Sequence, residues 1–158
     1  MQCEAYLFDW GDTLMADFPA TPGKMCDWEH VEAIEGADAV LKSLSTKARV
    51  YVATNASDSS PEEIKKAFQR VGLSQYIDGY FCMGNTGFRK PDHRFYQSIL
   101  SRINLPPEKV TMIGDSLEND IYPSVSCGIN AIWLNPSGQE VTLPDGIRVI
   151  KRLCEISS

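Results

Sequence analysis

Four polar side chains that could bind a metal or a phosphate each stand at the end of an apolar run. Asp9 ends AYLFD, Thr54 and Asn55 end VYVATN, and Asp115 ends VTMIGD. These runs are rich in β-branched and aromatic residues without strict alternation, which is typical of parallel strands buried on both faces. Parallel strands finish at one edge of a sheet, where ligands bind. We therefore expect these side chains to meet there, although Asp and Asn also end strands as turn formers.

Strand and helix signals alternate along the rest of the chain. GYFCM (79–83) and NAIWLN (130–135) are further strand candidates, and IRVIKRLCEIS near the C-terminus predicts a short strand and a final helical turn. Helices are expected over residues 36–47, 59–72, 91–103 and 117–127. In the second of these, Ser60 can cap the N-terminus and Pro61 fits the first turn. This alternation predicts an α/β fold, a three-layer Rossmann-like sandwich with a mainly parallel central sheet.

The composition excludes several classes of protein. The 158 residues, 43% of them hydrophobic, suit one core, so we expect residues 1–158 to form a single domain. The net charge of −6, without a basic stripe, provides no source for nucleic-acid binding. No apolar run approaches the roughly 20 residues that span a bilayer, and the N-terminus lacks the features of a secretory signal. Five scattered cysteines without a C-x-x-C pair favour a cytoplasmic location.

Four segments, in order along the chain, carry the polar residues that could do chemistry. They are YLFDWGDTL, VYVATN, FRKPDHRFY and VTMIGDSLEND. Together they resemble the four motifs of the haloacid dehalogenase (HAD) superfamily, a group dominated by phosphoryl-transfer enzymes, and the resemblance covers most of the chain. It implies a capless, phosphatase-like catalytic core over residues 1–158 that hydrolyses phosphate monoesters through an aspartyl-phosphate intermediate.

The resemblance also implies a metal site. Its ligands would be Asp9, the backbone carbonyl of Gly11, and Asp115, with Asp120 beside them either as a ligand or as the group that orients Lys90 or a metal-bound water. Hard oxygen ligands of this kind favour Mg²⁺. The acidic charge supports the same assignment, because the carboxylates would repel a phosphate dianion without a divalent cation.

Further roles in phosphoryl transfer follow from the same motifs. Asp9 would attack phosphorus, Thr54 would donate a hydrogen bond to the phosphoryl group, and Lys90 would hold nucleophile and phosphate together. Three neighbours are candidates for substrate binding, each with a purely structural alternative: Asn55, Trp10 and Arg89.

One position departs from the pattern of the superfamily. Its phosphatases usually carry a second Asp two residues after the nucleophile, and here that position is Gly11. The next residue, Asp12, has two open interpretations: it replaces the missing acid/base group, or it is a polar turn residue. Loss of this proton transfer, typically worth about 10²–10⁴-fold, predicts weak hydrolysis of alkyl phosphates and better turnover of esters with good leaving groups. The alternatives are a weakened homologue that binds a phosphorylated ligand or partner, and a phosphotransferase.

The spacing between the motifs excludes a cap domain. The segment over residues 16–35 falls below the roughly 50 residues that a domain needs, so it is either a small flap or an ordered surface connection. An uncapped edge is open to a phosphorylated small molecule or macromolecule. Uncapped members of the superfamily also borrow a lid from a neighbouring subunit, which makes a homo-oligomer a further expectation.

Overall fold

The central sheet is parallel, as the sequence predicts. The computed structural model describes residues 3–156. Six strands form the sheet, and we number them β1 to β6 along the chain: Ala5–Phe8, Arg49–Ala53, Gly79–Phe81, Val110–Gly114, Asn130–Leu134 and Arg148–Ile150. Their order is β3-β2-β1-β4-β5-β6, and every neighbouring pair is parallel. In this register Phe8 of β1 lies between Val52 of β2 and Ile113 of β4, which brings the residues that follow these strands to one edge.

Helices cover both faces of the sheet. They are α1 to α5, over Ala37–Ser45, Pro61–Arg70, Met83–Thr86, His93–Ile103 and Tyr122–Ser126. Helices α1 and α2 pack in one hydrophobic cluster with Phe8 and Val52, whereas α4 packs in a second cluster with Leu7 and Met112. Neighbouring residues of a strand point to opposite faces, so the two clusters lie on opposite sides of the sheet. This arrangement is the predicted three-layer sandwich.

The predicted elements differ from the observed ones mainly at their ends. Helix α2 begins as expected, because Ser60 Oγ accepts from the Glu63 amide while the Ser60 amide donates to Glu63 Oε1. The run predicted as a strand over residues 79–83 ends at Phe81, and Met83 instead begins α3. The helix predicted over residues 117–127 divides into a π-helical turn, Leu117–Ile121, and the short α5.

Residues 16–35, which we call the wall segment, are held against α2. Their one regular element is a short 3₁₀ turn, Met25–Asp27. The Lys24 ammonium lies 2.6 Å from Glu63 Oε2. The Arg70 guanidinium donates to three backbone carbonyls of the wall segment, those of Cys26, Trp28 and Glu29. These contacts fix the wall segment against α2.

No cap domain is evident within residues 3–156. Across the same described residues, no helix has both the length and the apolar character needed to cross a membrane.

Candidate active site

A buried lysine, Lys90, lies at the bottom of the site, at the carboxyl ends of the strands. We call the floor that it forms with Asp9, Asp115 and Asp120 the base of the site. Lys90 Nζ donates to Asp9 Oδ1 at 2.9 Å, to Asp120 Oδ1 at 2.6 Å and to the Ala53 carbonyl at 2.9 Å. Only 3% of the Lys90 side chain is exposed. Burial alone lowers the pKa of Lys90, but Asp9 and Asp120 outweigh it and raise that pKa above its ordinary value. The ammonium is therefore a fixed positive charge against the candidate nucleophile.

The π-helical turn after β4 places Asp120 against this lysine. Asp120 Oδ2 accepts from the Ser116 amide at 3.1 Å, so both carboxylate oxygens already have a donor. The close packing depends on Gly114, because a Cβ added there would lie 2.2 Å from Asp120 Oδ2. A glycine at the end of β4 is thus required for Asp120 to reach Lys90 in this position.

Three carboxylates converge where a cation could bind. Asp9, Asp115 and Asp120 each offer an oxygen, and these oxygens all lie within 4.8 Å of one another. Burial, and then repulsion from Asp9, raise the pKa of Asp115 to about 7. The Thr13 hydroxyl lies 3.3 Å from Asp9 Oδ2 and 3.5 Å from Asp115 Oδ1, and its single proton can satisfy only one of them at a time. This crowded set of hard oxygens has the chemistry of a divalent-cation site and fits Mg²⁺.

The residues after β2 serve two different purposes. Thr54 Oγ1 accepts from the Ala56 amide at 3.1 Å, so its own proton is available for a ligand in the adjoining cavity. Asn55 instead holds the backbone of Lys90: Oδ1 accepts from the Lys90 amide at 2.7 Å and Nδ2 donates to the Lys90 carbonyl at 2.9 Å. Asn55, a candidate for substrate binding, therefore borders the cavity with both ends of its amide already bonded, and it positions the lysine.

The turn after Asp9 contains the departure at Gly11. Asp12 adopts a left-handed conformation with φ 59°, and its Oδ1 accepts from the Asp17 amide at 3.0 Å. These features favour the turn interpretation of Asp12 over its use as the acid/base group. A Cβ added at Gly11 would lie 3.3 Å from Asp17 Cβ. The side chain of Asp17 therefore occupies the space beside the glycine.

An open cavity of about 420 Å³ lies above this base. Trp10, a candidate for substrate binding, borders the cavity but is only 5% exposed, because its ring packs 6.0 Å from that of Phe68 and its Nε1 donates to Met15 Sδ. Trp10 is thus mainly a core residue with one edge at the cavity. Arg89, the third candidate, is exposed and does not border the cavity, so the structure does not bring it to the site.

Several residues of the site escape sequence reasoning. Thr13 is buried and contacts both Asp9 and Asp115. The one feature of the sequence that points to it is its position, four residues after Asp9. Asp17, Asp58 and Met25 also border the cavity, but they belong to loops whose course has no periodic pattern. Their positions depend on how the wall segment packs on α2, which no local motif specifies.

Comparison with known proteins decides the family. The sequence profile described as haloacid dehalogenase-like hydrolase matches residues 11–134, well over half of the chain. The chain belongs to this family. It is 28% identical to pyrimidine 5'-nucleotidase YjjG of Escherichia coli (strain K12) over 115 residues, which cover 72% of this chain and 49% of that protein. It is 34% identical to pyrimidine 5'-nucleotidase PynA of Streptococcus pneumoniae over 107 residues, 66% of this chain and 44% of that protein.

The chain thus spans less than half the length of these two relatives. A solved structure of the putative HAD-hydrolase YfnB from Bacillus subtilis, bound to magnesium, superposes with a TM-score of 0.79 at 20% identity. The superposition covers 99% of this chain and 97% of that one. It shows the shared fold. The profile match over residues 11–134 confirms the family resemblance drawn from the sequence.

Proposed function

We propose that this HAD-family protein is a Mg²⁺-dependent hydrolase of phosphate monoesters and that Asp9 is its nucleophile. The observation that carries the proposal is the contact of Asp9 with the charged Lys90, together with an oxygen of the second carboxylate, Asp115, within 4.8 Å of an Asp9 oxygen. A carboxylate needs neutralising charge on both sides before it can approach a phosphate dianion. The identity of two relatives as 5'-nucleotidases supports phosphate-ester hydrolysis.

The proposed reaction has two displacements at phosphorus. A carboxylate oxygen of Asp9 forms a bond to phosphorus while the bond to the ester oxygen breaks, and the leaving group departs with that electron pair and takes its proton from solvent. Water then attacks phosphorus and gives a proton to solvent, the bond to Asp9 breaks, and inorganic phosphate and the free carboxylate result. Lys90 keeps Asp9 in place throughout, and the Thr54 hydroxyl donates to a phosphoryl oxygen.

Asp9, Asp115 and the backbone carbonyl of Gly11 would hold the Mg²⁺ ion. Bound there, the ion would polarise the phosphoryl oxygens and offset the negative charge of the site. Asp120 fits the role of orienting Lys90 better than that of a direct ligand, because its side chain is only 1% exposed between the Lys90 ammonium and the Ser116 amide, whereas that of Asp9 is 14% exposed. Removal of the acidic oxygens one at a time should therefore weaken Mg²⁺ binding most at Asp9 and Asp115.

Gly11 supports a second candidate function, a weakened homologue that binds a phosphorylated ligand or partner. Without an acid/base side chain at this position, no side chain donates a proton to the leaving group, and the rate of hydrolysis falls by about 10²–10⁴-fold. For the hydrolase we expect turnover of aryl phosphates and weak turnover of alkyl phosphates. Phosphoryl transfer to an acceptor other than water would use the same Asp9 intermediate.

The five cysteines are all free thiols, which supports our proposal of a cytoplasmic location.

The test is hydrolysis of 4-nitrophenyl phosphate by the wild type and by Asp9→Asn, after removal of divalent cations and after Mg²⁺ is restored. We expect activity to vanish in the chelator, to return with Mg²⁺, and to be absent in the variant under both conditions. Asp145→Asn is the matched control, since Asp145 is an exposed acidic residue that does not border the cavity. Full activity after exhaustive metal removal would contradict the proposal.

A further inference from the structure

The cavity has an acidic rim as well as an acidic base. Three exposed carboxylates border it beyond the Lys90 network, and we call them the rim: Asp12, Asp17 and Asp58. None of them forms an ion pair with a basic side chain within residues 3–156. The neighbouring cavity of about 430 Å³, which also borders Asp12, has no basic side chain among its described lining residues.

Positive charge is confined to the base. Among the described residues that border the main cavity, Lys90 is the single basic one, and Asp9 and Asp120 already engage it. Lys24 lies between two bordering residues of the wall segment, but its ammonium is bonded to Glu63 of α2. Arg89 does not border the cavity. Lys90 and a bound Mg²⁺ would offset the three carboxylates of the base, whereas no other basic side chain among the described residues that border the cavity offsets the rim.

The wall segment supplies the apolar side of the same cavity. Met25 and Trp28 border it, and both are nearly buried, so they present only an edge to the space above Asp9. Trp28 is fixed there by its Nε1, which donates to the Gly23 carbonyl at 3.0 Å, and by its ring contact with Phe18. The wall therefore offers apolar contact, while the rim offers only negative charge.

We propose that the cavity selects phosphate monoesters whose leaving group bears no further negative charge and has an apolar part. The proposal rests on the proposed function, because the phosphoryl group must sit at Asp9 for the leaving group to meet the rim. A second phosphate or carboxylate on the leaving group would lie beside Asp17 and Asp58 without a basic partner. An uncharged aryl group would instead contact Met25 and Trp28.

The experiment compares 4-carbamoylphenyl phosphate with 4-carboxyphenyl phosphate, two esters that differ by one negative charge at similar size. We expect wild-type kcat/KM to favour the uncharged ester. Asp17→Asn and Asp58→Asn should each reduce that preference roughly threefold, and the double variant roughly tenfold, through loss of Coulomb repulsion. Added salt should narrow the preference in the wild type and change it little in the double variant. Asp145→Asn should leave it unchanged.

A second measurement makes the proposal independent of turnover. Affinities of the non-hydrolysable 4-carbamoylbenzyl and 4-carboxybenzyl phosphonates are measured by calorimetry with Mg²⁺ for the wild type and the double variant, and they should show the same charge preference. An unchanged ratio in the double variant overturns the charge selection and leaves hydrolysis standing. Absence of turnover with selective phosphonate binding overturns hydrolysis alone. Absence of binding to both phosphonates overturns the charge selection.

Discussion

The base and the rim of the cavity are both built from aspartates, but their surroundings differ. At the base, Asp9 and Asp120 share the buried Lys90, and Asp120 takes a further bond from the Ser116 amide. At the rim, Asp17 and Asp58 are exposed and have no basic partner within the described chain. Burying a charge costs free energy unless the charge is paired and hydrogen-bonded, whereas an exposed charge keeps its hydration by water.

This difference divides the work of the site. At the base, Lys90 joins Asp9 and Asp120 in one hydrogen-bonded network, which suits chemistry that needs fixed atoms. The exposed carboxylates of the rim act on a charged ligand through their electrostatic field, without direct contact. Substitutions at the base should therefore affect stability and turnover together, and substitutions at the rim should affect selectivity alone.

The largest effect is expected from Lys90→Met. The substitution leaves Asp9 and Asp120 buried without their shared cation, which should lower the free energy of unfolding by about 3–5 kcal/mol. Turnover of 4-nitrophenyl phosphate should fall by at least about 10²-fold, because Asp9, the proposed nucleophile, loses its positioning charge. Urea denaturation and steady-state kinetics measure the two effects.

The double variant Lys90→Met/Asp120→Asn separates stability from chemistry. Replacing Asp120 with a neutral amide removes one uncompensated charge, so part of the lost stability should return. Activity should not return, since Lys90 is still missing. Recovery of activity together with stability would contradict the role of Lys90 in positioning Asp9.

A smaller effect is expected from Gly114→Ala. The added methyl group would overlap the Asp120 carboxylate, so Asp120 must move away from Lys90 and Ser116. We expect a loss of about 1–3 kcal/mol in the free energy of unfolding and roughly tenfold lower turnover. Thermal unfolding and kinetics measure both quantities.

Gly84→Ala is the matched control. A Cβ at Gly84 would lie 3.6 Å from Cys82 Sγ, an ordinary contact, and this glycine is exposed in α3. We expect the stability to stay equal or rise slightly, since alanine favours helix over glycine. Equal losses in the two variants would show that Gly114 has no special role beneath Asp120.

The smallest effect on stability is expected from Arg70→Met, which tests the wall. Loss of the bonds from the guanidinium to the wall segment should lower the free energy of unfolding by about 1–2 kcal/mol. KM for an aryl phosphate should rise while kcat changes little, because Met25 and Trp28 border the cavity and take no part in the hydrogen bonds of the Lys90 network. Arg102→Met, at an exposed position of α4, serves as the control.

Most of the fold could be predicted from the sequence because its signals are local. Ser60, Pro61 and Glu63 form the start of α2 from contacts within four residues, and the apolar runs that end at Asp9 and Asp115 match β1 and β4. The π-helical turn after Ser116 was not predictable from periodicity. It depends on the Asp120 carboxylate folding back to the Ser116 amide and to Lys90, 30 residues away in sequence.

The candidate site was predictable where strand ends specify it and not where loops do. Asp9, Thr54 and Asp115 follow strands, so the parallel sheet brings them to one edge. Asn55 shows the limit of this reasoning, since it follows β2 and borders the cavity, yet its amide is bonded to the backbone of Lys90. Asp17 lies beside Gly11 because the wall segment turns back, and no sequence period encodes that turn.

The most direct test of the central claim is to look for the phosphoryl group on Asp9. The protein is mixed with Mg²⁺ and an aryl phosphate, quenched in acid during turnover, digested and analysed by mass spectrometry, with beryllofluoride and crystallography as the stable counterpart. We predict a phosphoryl or beryllofluoride adduct on the Asp9 carboxylate, and none in Asp9→Asn. Turnover by the wild type with Asp9 unmodified, or with the adduct on another residue, would contradict the account.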